Sequence, residues 1–155
     1  MIDMRGLVAW MLGLGLAANG LTMLAVPASW YAMVPGVVDT GPFNPHFVRD
    51  IGAAYVVCGA ALVAFAMRPE ARSAAQAGAA FLALHAALHL WDAASGREHA
   101  HQLLLDIPTI FFPPILGLWI VWSPLRPDIT PTMEKSDDQM VSATMDRQIR
   151  AHVEL

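Results

Sequence analysis

The length, composition and charge of the chain describe one apolar domain and exclude several classes of protein. It has 155 residues, of which 56% are hydrophobic and 14% charged, and its mean hydropathy is +0.48. A soluble domain of this size needs more charge on its surface, so an ordinary water-soluble protein is excluded. The net charge of −4 and the lack of a basic patch argue against nucleic acid as a partner.

Four apolar stretches predict an all-α, integral membrane four-helix bundle. They cover residues 6–28, 51–67, 73–91 and 107–125. Each approaches the roughly 20 residues that cross about 30 Å of hydrocarbon, and backbone groups in lipid must be satisfied within a helix. The second helix is expected to begin at Pro45 with Asn44 as its cap. Pro108, Pro113 and Pro114 predict a kink in the fourth because they remove backbone donors.

The arginines near the predicted membrane ends indicate the orientation. Four spans place both termini and the second loop on one side, and the first and third loops on the other. The first side holds Arg5, Arg68, Arg72 and Arg126, whereas the second holds Arg49 and Arg97. Because cytoplasmic ends carry an excess of Lys and Arg, we expect a multi-pass protein of the bacterial inner membrane with both termini cytoplasmic.

Residues 127–155 differ from the bundle, which is expected to occupy residues 1–126. The stretch PDITPTMEKSDDQ is polar and is followed by a loose apolar stripe of Met140, Met145, Ile149 and Val153. The pattern is compatible with a polar cytoplasmic tail that is partly helical and docks on a partner, and equally with a disordered tail.

Ionisable residues converge on the outer half of the predicted bundle. The topology brings together the start of the second helix, the end of the third and the start of the fourth. These ends carry His46, Arg49, Asp50, His85, His89, Asp92 and Asp106. Ionisable groups inside a span are costly and tend to face the bundle interior in pairs, so this end is the candidate functional site.

A transition metal or haem is one interpretation of this cluster. His85, His89 and Asp92 share one helical face, and imidazole is a ligand for copper, zinc, iron and nickel. His99 and His101, in the loop that follows, could complete the ligand set.

Two further interpretations require no metal. In one, the polar groups bridge helices, with Arg49 paired to Asp92 or Asp106, and such contacts contribute about 0.6 kcal/mol on average. In the other, the cluster lines a pocket for a quinone, a lipid or another small molecule. The groups expected to orient a ligand or to form ion pairs are His46, Arg49, Asp50 and Asp106.

Two runs of the sequence carry a family resemblance. FNPHFVRDIGAAYVVCGAAL and the later LALHAALHLWD resemble small bacterial four-helix membrane proteins. The spacing of Arg49, Gly52 and Gly59 is loosely similar to that of the DoxX-like superfamily. The resemblance covers residues 6–125 and implies a four-helix bundle, in some members a subunit near a quinone-linked oxidoreductase.

The function predicted from these patterns is an accessory or small-ligand-binding subunit of a membrane assembly. The alternative is a membrane metalloprotein with redox activity, centred on His85, His89 and Asp92 and holding copper, iron, zinc or haem. The expected partners are the lipid bilayer and either other membrane subunits or further copies of the chain. No pattern in the sequence identifies a catalytic residue.

Overall fold

The computed structural model describes residues 3–97 and 100–122, together with residues 140, 142, 144 and 145; for residues 100 and 101 only the backbone is described. The α-helices are α1 (Met4–Ala25), α2 (Pro27–Met33), α3 (Pro45–Met67), α4 (Arg72–Ala94), α5 (Ala100–Asp106) and α6 (Phe112–Trp122). Short 3₁₀ turns occupy Val37–Asp39 and Pro69–Ala71, and a π-helical turn, Ile107–Phe111, joins α5 to α6. The predicted all-α class is confirmed.

Three helical segments of the described chain are long and apolar enough to cross a membrane. They are Met4–Ala25, Pro45–Met67 and Gln102–Trp122, the last of which combines most of α5, the π turn and α6. The helix α4 has 23 residues, the length of a span, but it is not one of the three. Its polar residues, among them Gln76, His85, His89 and Asp92, lower its hydropathy. Its role as a fourth span therefore remains a proposal.

The helices α1 and α3 are antiparallel and pack through glycines. A methyl group added at Gly13 would lie 2.7 Å from the carbonyl oxygen of Gly59, and one added at Gly52 would lie 2.7 Å from Cβ of Met23. The backbones can approach this closely only because these positions carry no side chain.

The helix α4 packs between α3 and α6. Gly78 of α4 faces Cys58 of α3, and Ala79 faces Gly117 of α6. At the other end of the bundle from the polar cluster, Nε of Arg72 donates to the carbonyl oxygen of Val121 over 2.7 Å. The helix α1 contacts α6 far less extensively than it contacts α3, which leaves a loose seam between α1 and α6.

The start of α3 lies where the sequence predicted it. Its first residue is Pro45, and Oδ1 of Asn44 accepts hydrogen bonds from the backbone N–H groups of His46 and Phe47 at 3.0 and 3.2 Å. These bonds satisfy donors that the helix itself cannot pair. The helix α4 includes the whole apolar stretch of residues 73–91 and ends at Ala94.

The first apolar stretch is interrupted where the sequence predicted one helix through residue 28. The helix α1 ends at Ala25, and α2 begins at Pro27. Proline has no N–H to continue the helical ladder and forces the preceding residue out of helical geometry, and Val26 has φ −134° and ψ 58°.

The prolines of the last helix produce a π-helical turn. Pro108 lies within Ile107–Phe111, whereas Pro113 and Pro114 lie in the first turn of α6. Proline has no backbone N–H to donate, so the regular helical hydrogen-bond ladder is interrupted at these positions. A π turn is a common form of such irregular helix geometry. In the tail, Met140 and Met145 are helical, but Ile149 and Val153 of the predicted stripe lie outside the described residues.

Candidate functional site

A cavity of about 860 Å³ lies among α1, α2, α3, α4 and the segment from α5 to α6. This volume is within the range of small-molecule binding sites, roughly 300–1,000 Å³. Most of its wall is apolar and includes Met11, Leu12, Leu16, Ile51, Ile110 and Pro113. The polar residues that line it include Asn19, Tyr31, His85, His89, Gln102 and Asp106.

A buried hydrogen-bonded group of three residues forms the polar end of the cavity. Nδ1 of His89 lies 2.8 Å from Oδ2 of Asp106, and Nε2 of Gln102 donates to Oδ1 of Asp106 over 3.1 Å. Gln102 and Asp106 are four residues apart on α5, so they share one face of that helix. Only 4% of Asp106 and 6% of Gln102 are exposed. Both oxygens of the carboxylate are therefore engaged within the protein.

The second polar atom of the Gln102 amide has a different environment. Its Oε1 is buried and accepts no hydrogen bond from any residue that the structure describes. Gly36, in the loop between α2 and α3, packs directly on this amide and has a φ of 82°. An unsatisfied buried acceptor costs about 1–3 kcal/mol. The polar end of the cavity thus contains an acceptor oxygen, Oε1 of Gln102, that receives no hydrogen bond from the described residues and lies beneath a close-packed loop.

His85 lies beside this group within a cluster of aromatic rings. Its ring stacks on Phe81 with an interplanar angle of 10°, and it meets Tyr55 and His89 edge to face at centroid distances of 6.0 and 5.0 Å. His85 lines the cavity and forms no hydrogen bond or ion pair with the described residues. The rings hold the imidazole in place while its nitrogens keep their hydrogen-bonding capacity.

The loop above the cavity is fixed by aromatic residues of α2. Nε1 of Trp30 donates to Oδ1 of Asn19 over 2.9 Å, which joins α2 to α1. The hydroxyl of Tyr31 donates to the carbonyl oxygen of Gly41, and its ring contacts that of Phe43 at a centroid distance of 5.2 Å. These contacts hold the loop of residues 34–44 over the polar end.

The remaining predicted site residues on α3 lie outside the cavity wall. His46 and Asp50 form an exposed pair at 3.4 Å on α3, and Nε of Arg49 donates to the carbonyl oxygen of Leu24 over 3.2 Å. The last carbonyl groups of a helix have no partner within it, and Arg49 supplies a donor to one at the end of α1.

The arginine pairing proposed for helix bridging differs from the one observed. Asp92 binds Nη1 of Arg97 over 2.7 Å at the exposed end of α4, and Asp106 binds His89. Arg97 is five residues from Asp92, so this pair forms locally, whereas Arg49 is used at the end of α1. Asp92 still lies on the cavity wall.

The structure brings two of the possible metal ligands, His85 and His89, into contact. Among the described residues there is no group of three His, Cys, Asp or Glu side chains that could hold a metal ion. His99 and the side chain of His101 lie outside the described part of the chain. The metal hypothesis therefore remains a prediction.

Sequence reasoning missed Gln102, Gly36 and Tyr55 as members of the site. The only available signal was the four-residue spacing of Gln102 and Asp106. Gly36 occurs in a Pro–Gly turn, and nothing in the sequence indicates that this turn packs on Gln102.

No protein family, curated protein or solved structure that was compared with the chain matches it. The class of protein is therefore defined by the structure itself. The described chain is all-helical, three of its helical segments are long and apolar enough to cross a membrane, and it contains a cavity of ligand size.

Proposed function

We propose that the chain is a multi-pass membrane protein that binds a small lipophilic molecule in the cavity. The observation that carries this proposal is the combination of a wall that is largely apolar with one polar end, where His89, Gln102 and Asp106 are ordered by hydrogen bonds. Binding sites for small molecules have this composition: apolar surface supplies affinity, and a few fixed polar groups orient the ligand.

The proposal includes α4 as a fourth span. Its His85 and His89 face the cavity, whereas Leu84, Leu90 and Trp91 are exposed, as expected for a helix with one face towards lipid. The arginine bias supports cytoplasmic termini in a bacterial inner membrane. A role as an accessory subunit and the DoxX-like resemblance are further parts of this proposal.

The ligand is proposed to reach the cavity from the bilayer through the seam between α1 and α6. Met11 and Gly15 of α1 line the cavity and are exposed, and Ile110 and Pro113 line it from the opposite side. A methyl group added at Gly15 would meet no atom within 4 Å. This position is thus open space, so a large side chain there can obstruct the seam without breaking helix packing.

The experiment measures binding of a neutral fluorescent probe, N-phenyl-1-naphthylamine, to protein in lipid nanodiscs, with empty nanodiscs as the background. Wild type should show a saturable component of one probe per chain. Gly15→Phe should weaken it by roughly tenfold or more, because Gly15 lines the cavity and the added ring would occupy space that the probe needs. The matched control is Leu14→Phe, because Leu14 is exposed and does not line the cavity. Absence of a saturable component in wild type, or equal binding by both variants, would refute the proposal.

A further inference from the structure

We infer that the ligand is a neutral lipophilic molecule with a hydroxyl head group, and that this hydroxyl binds His85. The inference rests on the proposed function, because it names the chemical class that the same cavity accepts.

The charges that line the cavity favour a neutral head group. Asp92 and Asp106 are on its wall, and none of the described residues that line it is Arg or Lys. An anionic head would therefore lie near two carboxylates, with no Arg or Lys on the described wall to bind it, which is unfavourable. A cationic head is not favoured either, because Asp92 already binds Arg97 and Asp106 already accepts from His89 and Gln102.

The hydrogen-bonding capacity of the polar end favours a ligand that brings a donor. A neutral imidazole has one N–H donor and one acceptor nitrogen, and His85 uses neither within the described structure. Oε1 of Gln102 adds a second unmet acceptor at the same end. A hydroxyl can donate to one of these acceptors and also accept from the imidazole N–H, whereas a carbonyl can only accept, because it has no hydrogen to donate.

The rings around His85 make its orientation specific. Phe81 stacks on the imidazole, and Tyr55 and His89 lie edge to face with it, so the ring cannot turn without disturbing three neighbours. A site with a fixed, partly buried partner discriminates against a ligand that lacks the matching group, because the partner is then left unpaired.

The test compares two ligands that differ in one hydrogen-bond donor, 4-hexylphenol and its methyl ether, 4-hexylanisole. Binding to protein in nanodiscs is measured by equilibrium dialysis, with partition into empty nanodiscs subtracted. Wild type should bind the phenol roughly three- to tenfold more tightly, the ratio expected for one net hydrogen bond. The anion 4-hexylbenzoate should bind more weakly than either.

The matched variants are His85→Phe, which keeps an aromatic ring in the stack, and His46→Phe, which alters an exposed histidine outside the cavity. His85→Phe should bind the methyl ether as wild type does but lose the preference for the phenol, whereas His46→Phe should keep it. Equal binding of the two ligands by wild type, or a preference that survives in His85→Phe, would overturn the inference and leave the proposed cavity intact. Binding of neither ligand by wild type would refute the proposed function itself. The comparison within wild type does not depend on how any variant folds.

Discussion

His89 and Asp106 meet at 2.8 Å between Nδ1 and Oδ2, and this contact joins the end of α4 to the end of α5. The two residues are separated by 17 positions, and the loop between them includes Arg97, which binds Asp92. The π turn Ile107–Phe111 begins just beyond Asp106. The contact therefore anchors the polar end of the cavity at the point where the helical geometry changes.

Replacement of Asp106 tests this anchor. Asp106→Leu should lower the free energy of unfolding in detergent by about 1–3 kcal/mol, because it leaves the imidazole of His89 and the amide of Gln102 without their acceptor. Thermal melting with circular dichroism in a fixed detergent measures the change. Asp92→Leu is the control, since its pair with Arg97 is largely exposed and such pairs contribute roughly 0–1 kcal/mol. An equal loss in both variants would show that the anchor has no special role.

The sequence predicted the helices better than the contacts among polar residues. The start of α3 at Pro45 could be predicted because the cap, the proline and the apolar run are all local signals. The break at Val26 could not be placed as easily, since Pro27 suits the first turn of a helix and the apolar stretch continues through it.

The composition of the site was predicted only in part, for a physical reason. The antiparallel topology placed His89 and Asp106 at the same end, which follows from the helix order alone. The choice of partner depends on side-chain reach and on competing local groups, and Arg97 lies closer in sequence to Asp92 than Arg49 does. Gly36 reaches Gln102 through a tertiary contact that no local pattern encodes.

The close contact between α1 and α3 gives a second prediction. Gly13→Ala should destabilise the protein by about 1–3 kcal/mol, because the added methyl group would lie 2.7 Å from a backbone oxygen of Gly59 that cannot move independently. Gly15→Ala, two residues along the same helix, should be neutral or slightly stabilising, since its methyl group meets open space and alanine favours a helix. Equal melting temperatures for the two variants would contradict the observed packing.

The orientation of α4 can be tested by labelling single cysteines in a Cys58→Ala background. Asp39→Cys and Ser95→Cys should react with a membrane-impermeant maleimide from outside spheroplasts, whereas Glu70→Cys should react only after lysis. This pattern follows if α4 crosses the bilayer and the ends with more arginine are cytoplasmic. Equal protection of residues 70 and 95 would instead place both ends of α4 on the same side and remove the fourth span.

The contact between Gly36 and Gln102 makes a prediction about coupling. Gly36→Ala should destabilise the protein in two ways. The left-handed backbone conformation costs alanine about 1–2 kcal/mol of folding free energy, and the added methyl group would overlap the Gln102 amide. Gln102→Ala removes the overlap but not the backbone cost. The double variant should therefore lose less stability than the sum of the single variants, by about 0.5–3 kcal/mol.

Gly96 provides the matched control for this cycle. It has a φ of 70°, and a methyl group added there would meet no atom within 4 Å. Gly96→Ala should therefore incur the backbone cost alone and should be additive with Gln102→Ala. Thermal melting of wild type and the five variants under one condition measures both cycles. Additivity in both would mean that the loop of residues 34–44 does not rest on Gln102, and the polar end of the cavity would then be open to solvent.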